Sequence, residues 1–321
     1  MFTPYDYDAA PIGLTEAFGL HPPALRAREA LRALRGDRSV PRTRFDLTSL
    51  GVLLPRLSVA TWLGARRPDR LVPISNLVNR TPTPIAEGWS VKKRHVRDFR
   101  GGTLTYDSHN GTDFAVPVGT VVTAAAPGRV LRISGELDRG GLKVFVDHGE
   151  GLVTTYNHLA RTLVRVGDRV GRGASLALSG YSGIDGIVGF PWSVPHVHFN
   201  VWIDGENHDP FAASGETSLW RDGDDPRPSP EVPEDLAAET SWEADLVDGA
   251  IAACADPELR ESLAAEPTLA LRAMNVVFFR NYYPARFSAF PRIYPSTHTR
   301  APRLTLPFRP RDFVGIVFAD A

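Results

Sequence analysis

Cysteine is almost missing from the 321 residues: Cys254 stands alone. No internal disulfide can form, and no cluster of thiolates can hold a metal. Lysine is nearly as scarce, with Lys92, Lys93 and Lys143 alone among 36 cationic side chains. Net charge is also lacking. At −1 it gives no electrostatic reason to expect nucleic acid as a partner. There is no long apolar run either. The best stretch, Leu50 to Leu63, is broken by Pro55 and Arg56 and falls short of the roughly 20 residues that a bilayer span needs, so no membrane insertion is expected. The first residues, Met-Phe-Thr-Pro-Tyr-Asp-Tyr-Asp, have neither the basic start nor the apolar stretch of a secretory leader, and on that reading the chain is cytoplasmic.

What remains is an ordinary globular composition, 43% hydrophobic and 23% charged, in a length that suits about two domains. With thiols excluded, any metal chemistry falls to the nine histidines. Pro22 to Leu34 reads as a helix, with prolines at its start and Gly36 at its end. Leu47 to Leu63 has no clear period and is read as a packing element, and Pro73 to Pro84 as extended and turn-rich. Lys92 to Arg100 is a basic, solvated face. From Thr103 the pattern changes to short strands between Gly and Pro: Val121-Val122, Arg129 to Ile133, Leu142 to Asp147, Val153 to Tyr156 and Val197 to Ile203.

These strands predict a mixed, β-rich chain whose central domain is an antiparallel β sandwich or barrel. Leu178 to Pro195, with four glycines, is expected to be a mobile loop. The proline-rich stretch 214–234 reads as a linker. Ser241 to Ala253, capped by Ser241, and Pro257 to Ala265 read as helices. The aromatic run Val276 to Phe290 reads as core, and 303–318 as one or two strands. The expected divisions are therefore 1–102, 103–213, 214–234 and 235–321.

Three short motifs carry chemistry. In Pro195-His196-Val197-His198-Phe199 the two histidines share one face of a strand, while Val197 and Phe199 point into packing. In Asp107-Ser108-His109-Asn110-Gly111-Thr112-Asp113, His109 and Asp113 can meet at one ion only if the chain bends, and Gly111 is read as supplying that freedom. His109, Asp113 and His198 then offer two nitrogens and one oxygen, a set that suits Zn2+ and leaves a fourth position for water. Tyr156-Asn157-His158-Leu159 adds a third imidazole. His158 and His196 are left for proton transfer, and spacing does not divide the roles between them.

Together these pieces resemble the lysostaphin-type, or LytM-like, zinc metallopeptidases. Asp113-Phe114-Ala115-Val116-Pro117-Val118-Gly119-Thr120, Val146-Asp147-His148-Gly149 and Val166-Gly167-Asp168-Arg169-Val170 are similar to the same family, so the likeness covers about residues 103–211. It implies a duplicated β core crossed by a groove, and an endopeptidase acting on peptide cross-links of peptidoglycan or related peptides. It also implies that His148 has no metal duty. The chain departs from the pattern twice. Asn200 stands where the family commonly has Glu, and Leu178 to Pro195 is longer than usual. Two rival readings use the same β pattern. One is a LytM-like module that binds or regulates without catalysis. The other is a carrier domain, which would need an exposed lysine at a hairpin tip, whereas Lys143 falls mid-strand.

Overall fold

The computed structural model describes residues 1–4, 8–81, 83, 88–232 and 239–321. Pro82, Pro84, Pro233 and Glu234, at the ends of the expected extended and linker stretches, lie outside the described residues. The strands are β1 (Leu71–Asn76), β2 (Thr112–Ala115), β3 (Val121–Thr123), β4 (Gly128–Glu136), β5 (Gly141–Asp147), β6 (Leu152–Thr162), β7 (Arg169–Val170), β8 (Ser175–Ser179), β9 (His196–Ile203), β10 (Glu206–His208) and β11 (Gly315–Phe318). They join in the order β11-β1-β2-β9-β6-β5-β4-β7, with β10 on β9 and the β3–β8 pair on β6. Every pairing is antiparallel except β1 with β11.

Alternation along β9 explains the two cores. Val197, Phe199 and Val201 enter one cluster with Phe114, Tyr156, Trp220, Leu304, Leu306 and Phe308. Trp202, on the opposite face, joins Phe145 and Val153 beneath three helices, α5 (Ala244–Ala252), α6 (Pro257–Ala264) and α7 (Leu269–Tyr282). The same opposite face carries His196, His198 and Asn200. One side of β9 is therefore core throughout, and the other is divided between the site and a helical cover.

The expected N-terminal helix forms as α2 (Pro23–Arg35), after a short α1 (Leu14–Ala17). Leu47 to Leu63 divides at Pro55 into a 3-10 turn, Leu47–Val52, and a helix, α3 (Pro55–Trp62). Three expectations need correction. Leu178 to Pro195 contains the end of β8 and a helix, α4 (Ile184–Gly189). The stretch is also tied down: Ser58 Oγ donates to the carbonyls of Pro191 and Ser193 at 2.7 Å each, and Trp62 Nε1 donates to Ser193 O at 3.2 Å. These anchors come from α3, more than a hundred residues away, and no local signal reveals them. Ser241 caps nothing, because α5 starts at Ala244 after Glu243 and has no side-chain cap. His208, which the run Asn207-His208-Asp209-Pro210 predicts to lie in a turn, is in β10. Among the described residues no helix is long and apolar enough to cross a membrane.

His148 shows what a buried structural imidazole looks like here. It is fully buried, Nδ1 donates to Pro127 O at 2.8 Å, and Nε2 lies 2.8 Å from Thr154 Oγ1. Burial lowers its pKa from 6.5 to about 3. The unfolded chain therefore takes up a proton that the folded chain refuses, so stability is lost as pH falls from 6.5 towards 3. Between those values the unfolding free energy should fall with acidification more steeply in the wild type than in His148→Gln, by about 1.4 kcal/mol per pH unit. Equal slopes in denaturant titrations would show that the folded imidazole is charged.

Candidate metal centre

The register of the sheet assembles the site. Asp113 on β2 is directly opposite His198 on β9, and Ala115 is opposite His196. On the other side of β9, Asn157 of β6 is opposite His198. Simple alternation would then send the next residue, His158, to the core face with Tyr156. It does not, because β6 is irregular here: Val144 pairs with Tyr156 while Leu142 pairs with Leu159. His158 occupies the left-handed region, at φ 59°. This bulge turns Asn157 and His158 to the same side. The His158 and His196 ring centroids are 4.6 Å apart.

His109 arrives from the turn before β2, where its N–H donates to Tyr106 O at 3.0 Å. Gly111 has a role in this approach, but a different one from that expected. It is not among the residues with positive φ. What it supplies is room: a Cβ there would lie 2.5 Å from His198 Nε2 and 2.8 Å from Phe199 O.

The hydrogen bonds settle which ring atoms face the centre. His109 Nδ1 donates to Leu77 O at 2.6 Å. In the neutral ring, Nε2 therefore carries a lone pair. That atom is buried without a hydrogen-bond partner, although it lies 3.0 Å from Asp113 Oδ2. The short distance is a contact between two electron-rich atoms rather than a hydrogen bond.

The His198 side repeats the pattern. Asn110 Oδ1 accepts from Asn200 Nδ2 at 3.0 Å and faces His198 Nε2 at 3.2 Å, so Nε2 is the protonated nitrogen. Burial holds the His198 pKa down at about 4, so the ring is neutral near pH 7. His198 Nδ1 then presents its lone pair to Asp113 Oδ1 at 2.7 Å. Asn76 Nδ2 donates to Asp113 Oδ2 at 2.9 Å and fixes the carboxylate. Two imidazole lone pairs set against one buried carboxylate is an arrangement that a cation between them would satisfy.

His158 and His196 are oriented in the same manner. Their Nδ1 atoms donate to Ser182 O and Val194 O, both at 2.7 Å, which leaves each Nε2 for the centre. Burial lowers the His158 pKa well below 6.5. Among the described residues, two sets of ligand atoms lie within 4.8 Å of one another: His109, Asp113 and His198, and His158, His196 and His198. The first includes a carboxylate to offset a dication, and the second has no negative charge.

Asp113, His158, His196 and His198 line a cleft of about 300 Å³, walled by Phe45 and Leu50 from the N-terminal segment and by Val188 and Trp192 from the α4 segment. Lys143 is not available to a carrier: it is wholly buried, with Nζ donating to Arg139 O at 2.6 Å and paired with Glu136 at 2.8 Å. Asp107, next to the first motif, accepts from Ser90 Oγ at 2.8 Å. Sequence reasoning missed Asn76, Asn110, Asn157 and the carbonyls of Leu77, Ser182 and Val194. They act through strand register and main chain, which leave no local pattern.

Part of the chain is similar to known proteins. Residues 107–210 match Peptidase family M23. An uncharacterized metalloprotease of Haemophilus influenzae is 35% identical over 119 residues, 35% of this chain and 24% of that protein. The peptidoglycan DD-endopeptidase ShyA of Vibrio cholerae is 37% identical over 123 residues, 38% of this chain and 27% of that protein. The glycyl-glycine endopeptidase ALE-1 of Staphylococcus capitis is 32% identical over 93 residues, 29% of this chain and 24% of that protein. The chain thus spans about a quarter of the length of these relatives. Within those bounds the assignment is plain: residues 107–210 are a peptidase family M23 domain.

Proposed function

We propose that the protein is a zinc-dependent endopeptidase, with His109 Nε2, Asp113 and His198 Nδ1 as the metal ligands, and that its substrate is a peptide cross-link of peptidoglycan. The observation that carries the reading is the pair of imidazole lone pairs turned onto one buried carboxylate. Three protein ligands of this kind suit zinc, which when bound polarises a carbonyl and brings the pKa of water to about 7.

The chain's own groups supply the rest. His158 and His196 line the same cleft, each with Nδ1 pinned to a carbonyl and Nε2 left for the centre. One accepts the proton of the attacking water, and the other, as imidazolium, gives a proton to the leaving amine. The burial that lowers the His158 pKa keeps its ring neutral and able to act as base. The substrate class is supported by relatives named as peptidoglycan DD-endopeptidase and glycyl-glycine endopeptidase. Those two names specify different bonds, so the reading is of the class and not of one bond.

Elemental analysis of the purified protein should find one zinc per chain, and mass spectrometry of digested peptidoglycan should find cleaved cross-links. A protein that holds no zinc after equilibration with it overturns the metal reading. A zinc-loaded protein that leaves both peptidoglycan and its isolated cross-linked peptides intact overturns the substrate reading.

A further inference from the structure

A hydrogen-bonded chain runs from the metal centre to a helix outside the family-matched residues. His198 Nε2 faces Asn110 Oδ1 at 3.2 Å. Asn200 Nδ2 donates to both acceptors of Asn110, to its main-chain O at 2.7 Å and to its Oδ1 at 3.0 Å. Asn200 Oδ1 in turn receives three donors: Thr155 Oγ1 at 2.9 Å, Asn157 Nδ2 at 2.9 Å and Tyr282 OH at 2.6 Å. Asn157 Nδ2 also donates to Tyr282 OH, at 2.8 Å, and closes a ring. Asn157, Asn200 and Tyr282 are all buried. Trp89 stacks on the tyrosine ring at 6.3 Å between centroids and 9° between planes.

Tyr282, with the shortest of the three bonds to Asn200 Oδ1, helps to decide which way the Asn200 amide points. A planar amide with its oxygen saturated by donors must turn its NH2 group the other way, towards Asn110. With the Asn200 NH2 held on Asn110 Oδ1, that oxygen can only accept from His198, so Nε2 keeps its proton and Nδ1 keeps its lone pair. We infer that Tyr282, at the end of α7, is a positioning residue for His198, acting through Asn200 and Asn110 to fix the tautomer and orientation of a metal ligand. Outer partners of this kind typically contribute about 10–100-fold to metal affinity. The inference rests on the proposed ligand set of His109, Asp113 and His198.

The test is the rate at which full-length, zinc-loaded protein releases zinc to excess chelator. Tyr282→Phe keeps the ring and removes the hydroxyl, and should release zinc about tenfold faster or more. The control is Tyr283→Phe, which also deletes a buried hydroxyl bond on the same turn, to Asp138 at 2.9 Å, and should release zinc at the wild-type rate. Should Tyr282→Phe not fold, Asn110→Ala cuts the same chain at its other end and should give the same acceleration. Where both fold, the double variant should be no faster than the faster single one, because both act through one path. Release unchanged within about twofold in Tyr282→Phe, equal acceleration in Tyr283→Phe, or multiplicative effects in the double variant would overturn the inference. A wild type that never loads zinc would instead overturn the ligand set.

Discussion

Replacing His109 by alanine should leave a protein that folds but neither retains zinc nor cleaves peptide. His109 supplies a buried lone pair, 3.0 Å from Asp113 Oδ2, that meets no hydrogen-bond partner in the structure. Its removal leaves Asp113 and His198 as a two-group set, and the loss should exceed the roughly 10–100-fold effect of deleting an outer partner. His196→Ala makes the contrast. His196 Nε2 stands 3.4 Å from Asp113 Oδ1, and its other nitrogen is occupied by Val194 O. That variant should keep one zinc per chain and lose about 10²–10⁴-fold in kcat/KM, the usual range for an acid–base group. Elemental analysis beside a fluorogenic peptide assay reads both quantities. If His109→Ala binds zinc stoichiometrically and still turns over, the ligand assignment is wrong.

The second large effect is on folding. A chain ending at residue 238 should fail to fold, although the family match stops at residue 210. Two losses combine. Without α5, α6 and α7, the face of the sheet bearing Phe145, Val153 and Trp202 is uncovered. Without residues 304–308, the other core loses Leu304, Leu306 and Phe308, and Phe114 loses its edge-to-face partner Phe308 at 5.6 Å. The same tail receives main-chain bonds, such as Thr123 N to Pro307 O at 2.9 Å. Each large apolar side chain uncovered or lost costs about 1.5–3 kcal/mol, so six amount to about 9–18 kcal/mol, as much as the roughly 5–15 kcal/mol by which domains are stable. Circular dichroism of the truncated chain should show no cooperative melt. A cooperative transition near the wild-type midpoint would mean that the tail is dispensable. Phe308→Ala offers a milder version, expected to cost about 3–5 kcal/mol.

The candidate site was readable in the sequence where its groups are close together on strands. His196 and His198 share a face because strand periodicity makes them do so, and the β-rich class followed from short Gly- and Pro-bounded runs. What was unreadable depends on partners far along the chain. Asn76 is 37 positions from the carboxylate it holds, and Tyr282 is 82 from the amide it orients. Gly111 was noticed, but for backbone freedom rather than for the space it leaves beside an imidazole. The α4 segment reads as a mobile loop in the sequence because its glycines are local and its anchors, Ser58 and Trp62, are not.

The extra residue in β6 has a consequence for anyone who would redesign this chain. Deleting Asn157 would straighten the strand into an ideal ladder and relieve a left-handed backbone, changes that a stability-driven protocol rewards. It would also move the His158 imidazole into the register that Asn157 holds, opposite His198, and out of its bulged position beside His196. The defect and the placement of the proposed base are one feature, and a sequence optimised for regularity would discard both together.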